Sequence, residues 1–146
     1  MLKGIDPILT PELLMRLCAM GHGEWVAVVD ANFTADFLSQ GKPVVRLPGL
    51  SLERVSRAVL SVFPLADDVQ QPAAYMHACN HPMDHRTSAQ QAIVDLMSEH
   101  GLAQARVEPV ERFAFYDKIK GASLIVQSGE ATAYGNAMFC KGVILN

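Results

Sequence analysis

Apolar residues follow two rhythms along this chain, short unbroken runs and stripes at helical spacing. Trp25 to Val29 is a continuous run rich in β-formers and predicts a strand covered on both faces. Val44 to Leu47, ahead of Pro48-Gly49, and residues 73–79 predict two more strands. Residues 106–110 read as a strand carrying the unfavourable Pro109, and residues 123–127 as a strand ending before Ser128-Gly129. The last segment, 137–145, reads as extended around Lys141-Gly142.

The helical stripes lie between these runs. Thr10 followed by Pro11 has the form of an N-cap with proline at the first helical position, and Leu13, Leu14, Leu17 and Cys18 make the apolar stripe behind it. Gly21 is the expected left-handed stop. Ser51 is expected to cap a helix over 51–63 that Pro64 ends. Thr87 or Ser88 is expected to cap another that Gly101 closes. Residues 111–120 carry a further helical pattern. Strands alternating with helices predict one α/β domain over 1–146, a three-layer α/β/α sandwich with a mostly parallel, mixed sheet.

Composition narrows the class. Hydrophobic residues make up 50% of the 146 and charged residues 18%, an apolar balance that predicts surface buried between subunits. A net charge of -3 with no Lys/Arg run excludes the electrostatic footprint of nucleic-acid binding. Cys18, Cys79 and Cys140 are scattered without a CxxC pair, the pattern of reduced thiols in a cytoplasmic protein. Pro7 and Pro11 interrupt the N-terminal segment, so no signal peptide is expected. No apolar run reaches the roughly 18 residues of a membrane span.

Five clusters could carry chemistry. His22 stands between Gly21 and Gly23, an acid–base ring with space beside it; the structural alternative is a ring capping the carbonyls of the preceding helix. Asp30 ends the first predicted strand, where ligands of open α/β sheets bind and a carboxylate can accept two hydroxyls; alternatively Asp30 and Asn32 form a turn. Arg112, Tyr116 and Lys120 are four apart and share one helix face, which offers a rigid donor fork and a phenol, or else is a solvated face. Tyr134 and Asn136 bracket Gly135 on a turn and could read sugar oxygens. His77, Cys79, His81 and His85 recur at metal-like spacing, but Pro82 breaks a continuous helix, and a loop without metal is expected. P-loop, GxGxxG, HExxH and GxSxG signatures are absent.

Taken together these segments resemble the L-fucose mutarotase and D-ribose pyranase family. The resemblance rests on the opening Met1-Leu2-Lys3-Gly4-Ile5, residues 13–22 with Gly21-His22-Gly23, and Asp30-Ala31-Asn32-Phe33. It continues through Glu111-Arg112-Phe113-Ala114-Phe115-Tyr116, Ser128-Gly129-Glu130, Tyr134-Gly135-Asn136 and Lys141-Gly142-Val143, in collinear order over nearly the whole chain. The RFAFY stretch is similar to the fucose-type branch, since the ribose-type branch has a histidine where Arg112 stands and a lysine where Tyr116 stands. Trp25 and the segment 77–86 depart from the family pattern and bear on which sugar is used.

The resemblance implies interconversion of the α and β anomers of L-fucose or a related sugar, with pyranose/furanose conversion as an added activity. It implies His22 as proton donor, and Asp30, Arg112, Tyr116, Tyr134 and Asn136 around the sugar. It also implies a homo-oligomer, typically a decamer of stacked rings, and no metal or organic cofactor. From another class, a non-catalytic sugar-binding or transport-accessory protein would use the same residues.

Anomer exchange needs a base at the anomeric hydroxyl and an acid at the ring oxygen. An extended segment from Glu24 to Asp30, at about 3.3 Å per residue, spans roughly 20 Å, more than a monosaccharide bridges. Either the glycine loop folds His22 back along the strand, or His22 and Asp30 of one site come from different subunits. The apolar composition favours the shared site.

Overall fold

The computed structural model describes residues 2–145; Met1, the first residue of the opening motif, and Asn146 lie outside the described residues. The helices are α1 (Pro11–Ala19), α2 (Ala35–Ser39), α3 (Leu52–Leu60), α4 (Ser88–Glu99) and α5 (Arg112–Lys120). The strands are β1 (Trp25–Val29), β2 (Val44–Leu47), β3 (Ala73–Met76), β4 (Val107–Val110), β5 (Leu124–Ser128) and β6 (Ala137–Cys140). They form one six-stranded sheet in the order β2-β5-β1-β6-β3-β4. β6 runs antiparallel to both its neighbours, β1 and β3, and the remaining pairs are parallel. The expected mixed, mostly parallel sheet is therefore present.

Alternation along the strands makes the three layers. Val26 and Val28 of β1 face a core shared with Leu13 and Leu17 of α1, Val55 and Val59 of α3, and Ile93 and Met97 of α4. Ala27 and Val29 face the opposite core, with Leu38 of α2 and Phe115 and Ile119 of α5. Both faces of the central strand are thus covered, as its unbroken apolar run requires. Pro109 is tolerated because β4 is an edge strand, where a missing N–H breaks no second ladder.

The caps are those of the sequence. Thr10 Oγ1 accepts from Leu13 N–H at 3.2 Å and Ser51 Oγ from Arg54 N–H at 3.2 Å. Thr87, rather than Ser88, caps α4 and closes a capping box with Gln90.

Several expectations need correction. Gly21 is not left-handed; α1 ends into extended Met20, and the positive φ (80°) falls at Gly23. α3 stops at Leu60 rather than Phe63, closed by a turn through Ser61 and Val62. β3 ends at Met76 rather than residue 79, because its pairing with β4 ends at Met76↔Val110 and with β6 at Tyr75↔Ala137. β6 ends at Cys140, beyond which Lys141 pairs with Leu65 as an isolated bridge. The sequence reading also passed over α2. Among the described residues no helix is long and apolar enough to cross a membrane. The three cysteines are unbridged.

Candidate active site

Asp30 leaves the end of β1 in a buried position, 8% exposed. Its Oδ1 accepts from Asn32 N–H at 2.9 Å, and its Oδ2 from Asn136 Nδ2 at 2.9 Å. The backbone N–H of Asp30 donates to Asn136 Oδ1, also at 2.9 Å, so the amide and the aspartate close a two-bond ring. Burial pushes the Asp30 carboxyl above its ordinary value of 3.8, against the opposing donations from Asn136, Asn32 and Phe33. Asn136 arrives here because β6 is reversed: Val28 pairs with Ala137, which sets the residue before β6 beside the residues that end β1.

The turn that delivers Asn136 is pinned from beneath. Glu130 accepts from Thr132 N–H at 2.9 Å and from Leu52 N–H, at the start of α3, at 3.2 Å. Burial acts to raise the Glu130 carboxyl, yet the donations from Thr132, Leu52 and Ala131 leave it below its usual 4.5. At Gly135 a Cβ would sit 2.7 Å from Glu130 Cγ and 2.9 Å from Thr132 O, so the turn closes only around glycine. Tyr134 takes a left-handed φ of 62°, which aims its ring into the same space as Asp30. The neighbouring Cys79 thiol, joined by partial burial, pushes the Tyr134 phenol up from 10.0, so it stays a neutral O–H group.

The remaining wall comes from α5. Glu111 caps it through bonds from Phe113 N–H (2.8 Å) and Ala114 N–H (3.2 Å). One turn apart, Arg112 Nε donates to the Tyr116 hydroxyl at 2.9 Å, and the guanidinium lies 5.5 Å from the Tyr116 ring centroid. Phe33 meets Tyr116 edge-on at 5.7 Å.

Asp30, Arg112, Tyr116, Tyr134 and Asn136 all line one cavity of about 390 Å³. Its other walls include Asn32, Phe33, Thr34, Met76, Ala131 and Ala133. Carboxylate, amide, guanidinium and phenols set between apolar rings suit a small polyhydroxylated ligand. Thr34, Met76, Ala131 and Ala133 were missed from sequence; they contribute walls rather than chemistry, and only the position of Met76 at a strand end could have marked it.

Lys120, on the same helix, does not line the cavity. It pairs with Asp117 at 2.6 Å, and its carbonyl oxygen accepts from Lys42 Nζ. Nor does the histidine-rich segment gather around one point. His77 Nε2 lies 2.9 Å from the Pro82 oxygen, and His81 stacks on His85 at 4.0 Å. Among the described residues no group of three or more His, Cys, Asp or Glu side chains could share a metal ion.

His22 is at the other end of β1, with its side chain 45% exposed, and it does not line the cavity of its own subunit. Its Nε2 lies 3.0 Å from both carboxylate oxygens of Asp68. The glycine loop therefore does not fold His22 back along the strand.

A family model described as the RbsD / FucU transport protein family matches residues 3–144. The chain belongs to that family. It is 40% identical over 147 residues to the fucose mutarotase of Danio rerio, covering 98% of this chain and 94% of that one. Among solved structures, FucU from Bifidobacterium longum superposes with a TM-score of 0.91 at 36% identity, over 98% of this chain and 100% of the other. The fucose mutarotase of Streptococcus pneumoniae, solved in complex with L-fucose, gives a TM-score of 0.90 at 26% identity, over 99% and 100%.

Proposed function

We propose that this protein is an isomerase that interconverts the α and β anomers of L-fucose or a related monosaccharide by acid–base opening and closing of the sugar ring. The observation that carries this reading is the cavity itself. Asp30 and Asn136 form one rigid polar wall and Arg112 with Tyr116 another, between apolar rings. Relatives named fucose mutarotase match over nearly the full length.

In this mechanism His22 gives the proton that opens the ring, and Asp30 and Arg112 hold the hydroxyls. Tyr116 or Tyr134 relays the second proton; the upward shift of Tyr134 suits a neutral phenol that both accepts and donates. His22 reaches the sugar from a neighbouring subunit, because within one subunit it is bonded to Asp68 at the far end of β1. Exposed Phe37 (81%), Phe113 (66%) and Ile144 (81%) are apolar surface for such an assembly, with a decamer of stacked rings as its form. The protein acts in the cytoplasm, as one sugar mutarotase-like domain over 1–146, without nucleic acid or membrane and without metal or organic cofactor. Pyranose/furanose conversion is an expected second activity, since both follow from the same open-chain intermediate.

NMR exchange spectroscopy on L-fucose and D-ribose tests the reading. His22→Ala should lower exchange by about 10²–10⁴-fold. Mixed oligomers of His22→Ala and Asp30→Asn subunits should recover part of the activity; no recovery removes the shared site. The family description as transport proteins favours a second reading, a sugar-binding accessory, which predicts binding with no faster exchange.

A further inference from the structure

The pairing of His22 with Asp68 differs from an ordinary surface ion pair in how both partners are held. The glycine loop is tied down by Gly23 N–H donating to Lys141 O at 2.8 Å and by Lys141 N–H donating to Glu24 O at 2.8 Å. The Glu24 carboxylate accepts from Gly21 N–H and from Ser123 Oγ–H, the latter at 2.6 Å. On the other side, the Arg106 guanidinium donates to the carbonyls of Asp67 (3.1 Å), Val69 (2.8 Å) and Gln70 (3.3 Å), which bracket Asp68. Two loops far apart in sequence are thus braced so that an imidazole and a carboxylate meet. Arg106 spends its donors on backbone rather than on Asp68.

We propose that Asp68 is a positioning residue for His22, fixing the ring with its proton on Nε2 and leaving Nδ1 as the nitrogen that exchanges protons with the sugar. This rests on the reading of His22 as proton donor. An aspartate accepts and never donates when ionised, so an Nε2 facing it must carry a hydrogen; the imidazolium therefore gives the sugar its Nδ1 proton, and Nδ1 of the neutral ring left behind is the acceptor that takes one back. The same carboxylate steadies the imidazolium that donates, and the bond to His22 holds the Asp68 carboxyl below its usual 3.8. The ring would otherwise rotate about its side-chain bonds on a loop with glycine on either side.

Two measurements on the full-length oligomer test this. Long-range ¹H–¹⁵N correlation should show neutral His22 protonated at Nε2 in the unaltered protein, and a tautomer mixture in Asp68→Ala. Exchange kinetics should show Asp68→Ala losing about 10–100-fold in kcat with KM unchanged. That is less than the roughly 10⁴-fold loss for a buried triad carboxylate, because this pair is half-exposed. Asp68→Glu should recover part of kcat. A proton on Nδ1 in the unaltered protein, or full kcat in Asp68→Ala while His22→Ala is inactive, overturns the role of Asp68 alone. Full activity in His22→Ala overturns both this inference and the assignment of His22 beneath it.

Discussion

At the carboxyl end of β1, Asp30 is 8% exposed and is bonded to backbone N–H groups and to an amide that is itself 2% exposed. At the amino end, His22 keeps 45% of its side chain exposed and bonds to Asp68, itself half-exposed. The first end is preorganised within one chain; the second is held in place but left open. A group that must fix hydroxyls benefits from burial, since its geometry is set before the ligand arrives. A group that must reach a ligand bound elsewhere needs a rigid base and an exposed ring. The same strand supplies both conditions because it joins a buried sheet end to a surface loop.

If that contrast is right, stability and activity should separate between the two ends. The largest stability effect is expected from Asn136→Ala, which leaves the buried Asp30 carboxylate without its amide partner and costs about 1–3 kcal/mol. His22→Ala should stay within about 0.5 kcal/mol of the parent while exchange collapses, as for an exposed side chain. Urea unfolding followed by circular dichroism measures both, and equal losses would erase the distinction. A smaller contrast lies in the glycines. Gly135→Ala forces a Cβ against Glu130 and Thr132 and should cost about 1–2 kcal/mol. Gly23→Ala meets open space and should cost about 1 kcal/mol for its positive φ.

The smallest effect is in pH. Asp30 is pushed above 3.8 by burial, so its stabilising share is full below that value and is lost as pH rises through its folded pKa. Glu130 is held below 4.5, so its share is full above that value and is lost as pH falls through its folded pKa. Relative to the parent, Asp30→Asn should therefore gain stability as pH rises through the acid range, and Glu130→Gln should lose it. Slopes of the same sign in a series of unfolding curves would contradict these environments.

What the sequence made legible follows from how local each signal is. β1 and β2 were read to the residue, because the unbroken apolar run of β1 stops at Asp30 and the short stretch of β2, interrupted only by Arg46, stops at Pro48-Gly49. Thr10 and Ser51 were read as caps because capping is settled within three residues. The end of β3 was not legible, since partners on β4 and β6 decide where pairing stops. α2, at five residues with no side-chain cap bond, carries too little periodicity to stand out, and tertiary packing of Ala35 and Leu38 makes it. Asp30, Arg112, Tyr116, Tyr134 and Asn136 were legible as chemistry, but their convergence depends on the reversal of β6, which periodicity does not encode. Lys120 shares the helix spacing of Arg112 and Tyr116 yet lies outside the cavity, because spacing identifies neighbours along a helix face without saying where a cavity ends. Asp68 left no mark in the sequence, because only the approach of two distant loops gives it a partner.

The reversed strand has one more consequence. β6 touches both ends of β1: Asn136 before its first residue meets Asp30, and Lys141 after its last receives the N–H of Gly23. Slipping β6 by one residue would carry Asn136 about 3.4 Å along the sheet and turn its side chain to the opposite face. The same slip would draw the Lys141 carbonyl away from the loop that carries His22. The strand thus works as a single gauge for the cavity end and the histidine loop, and an error in its register would displace both together.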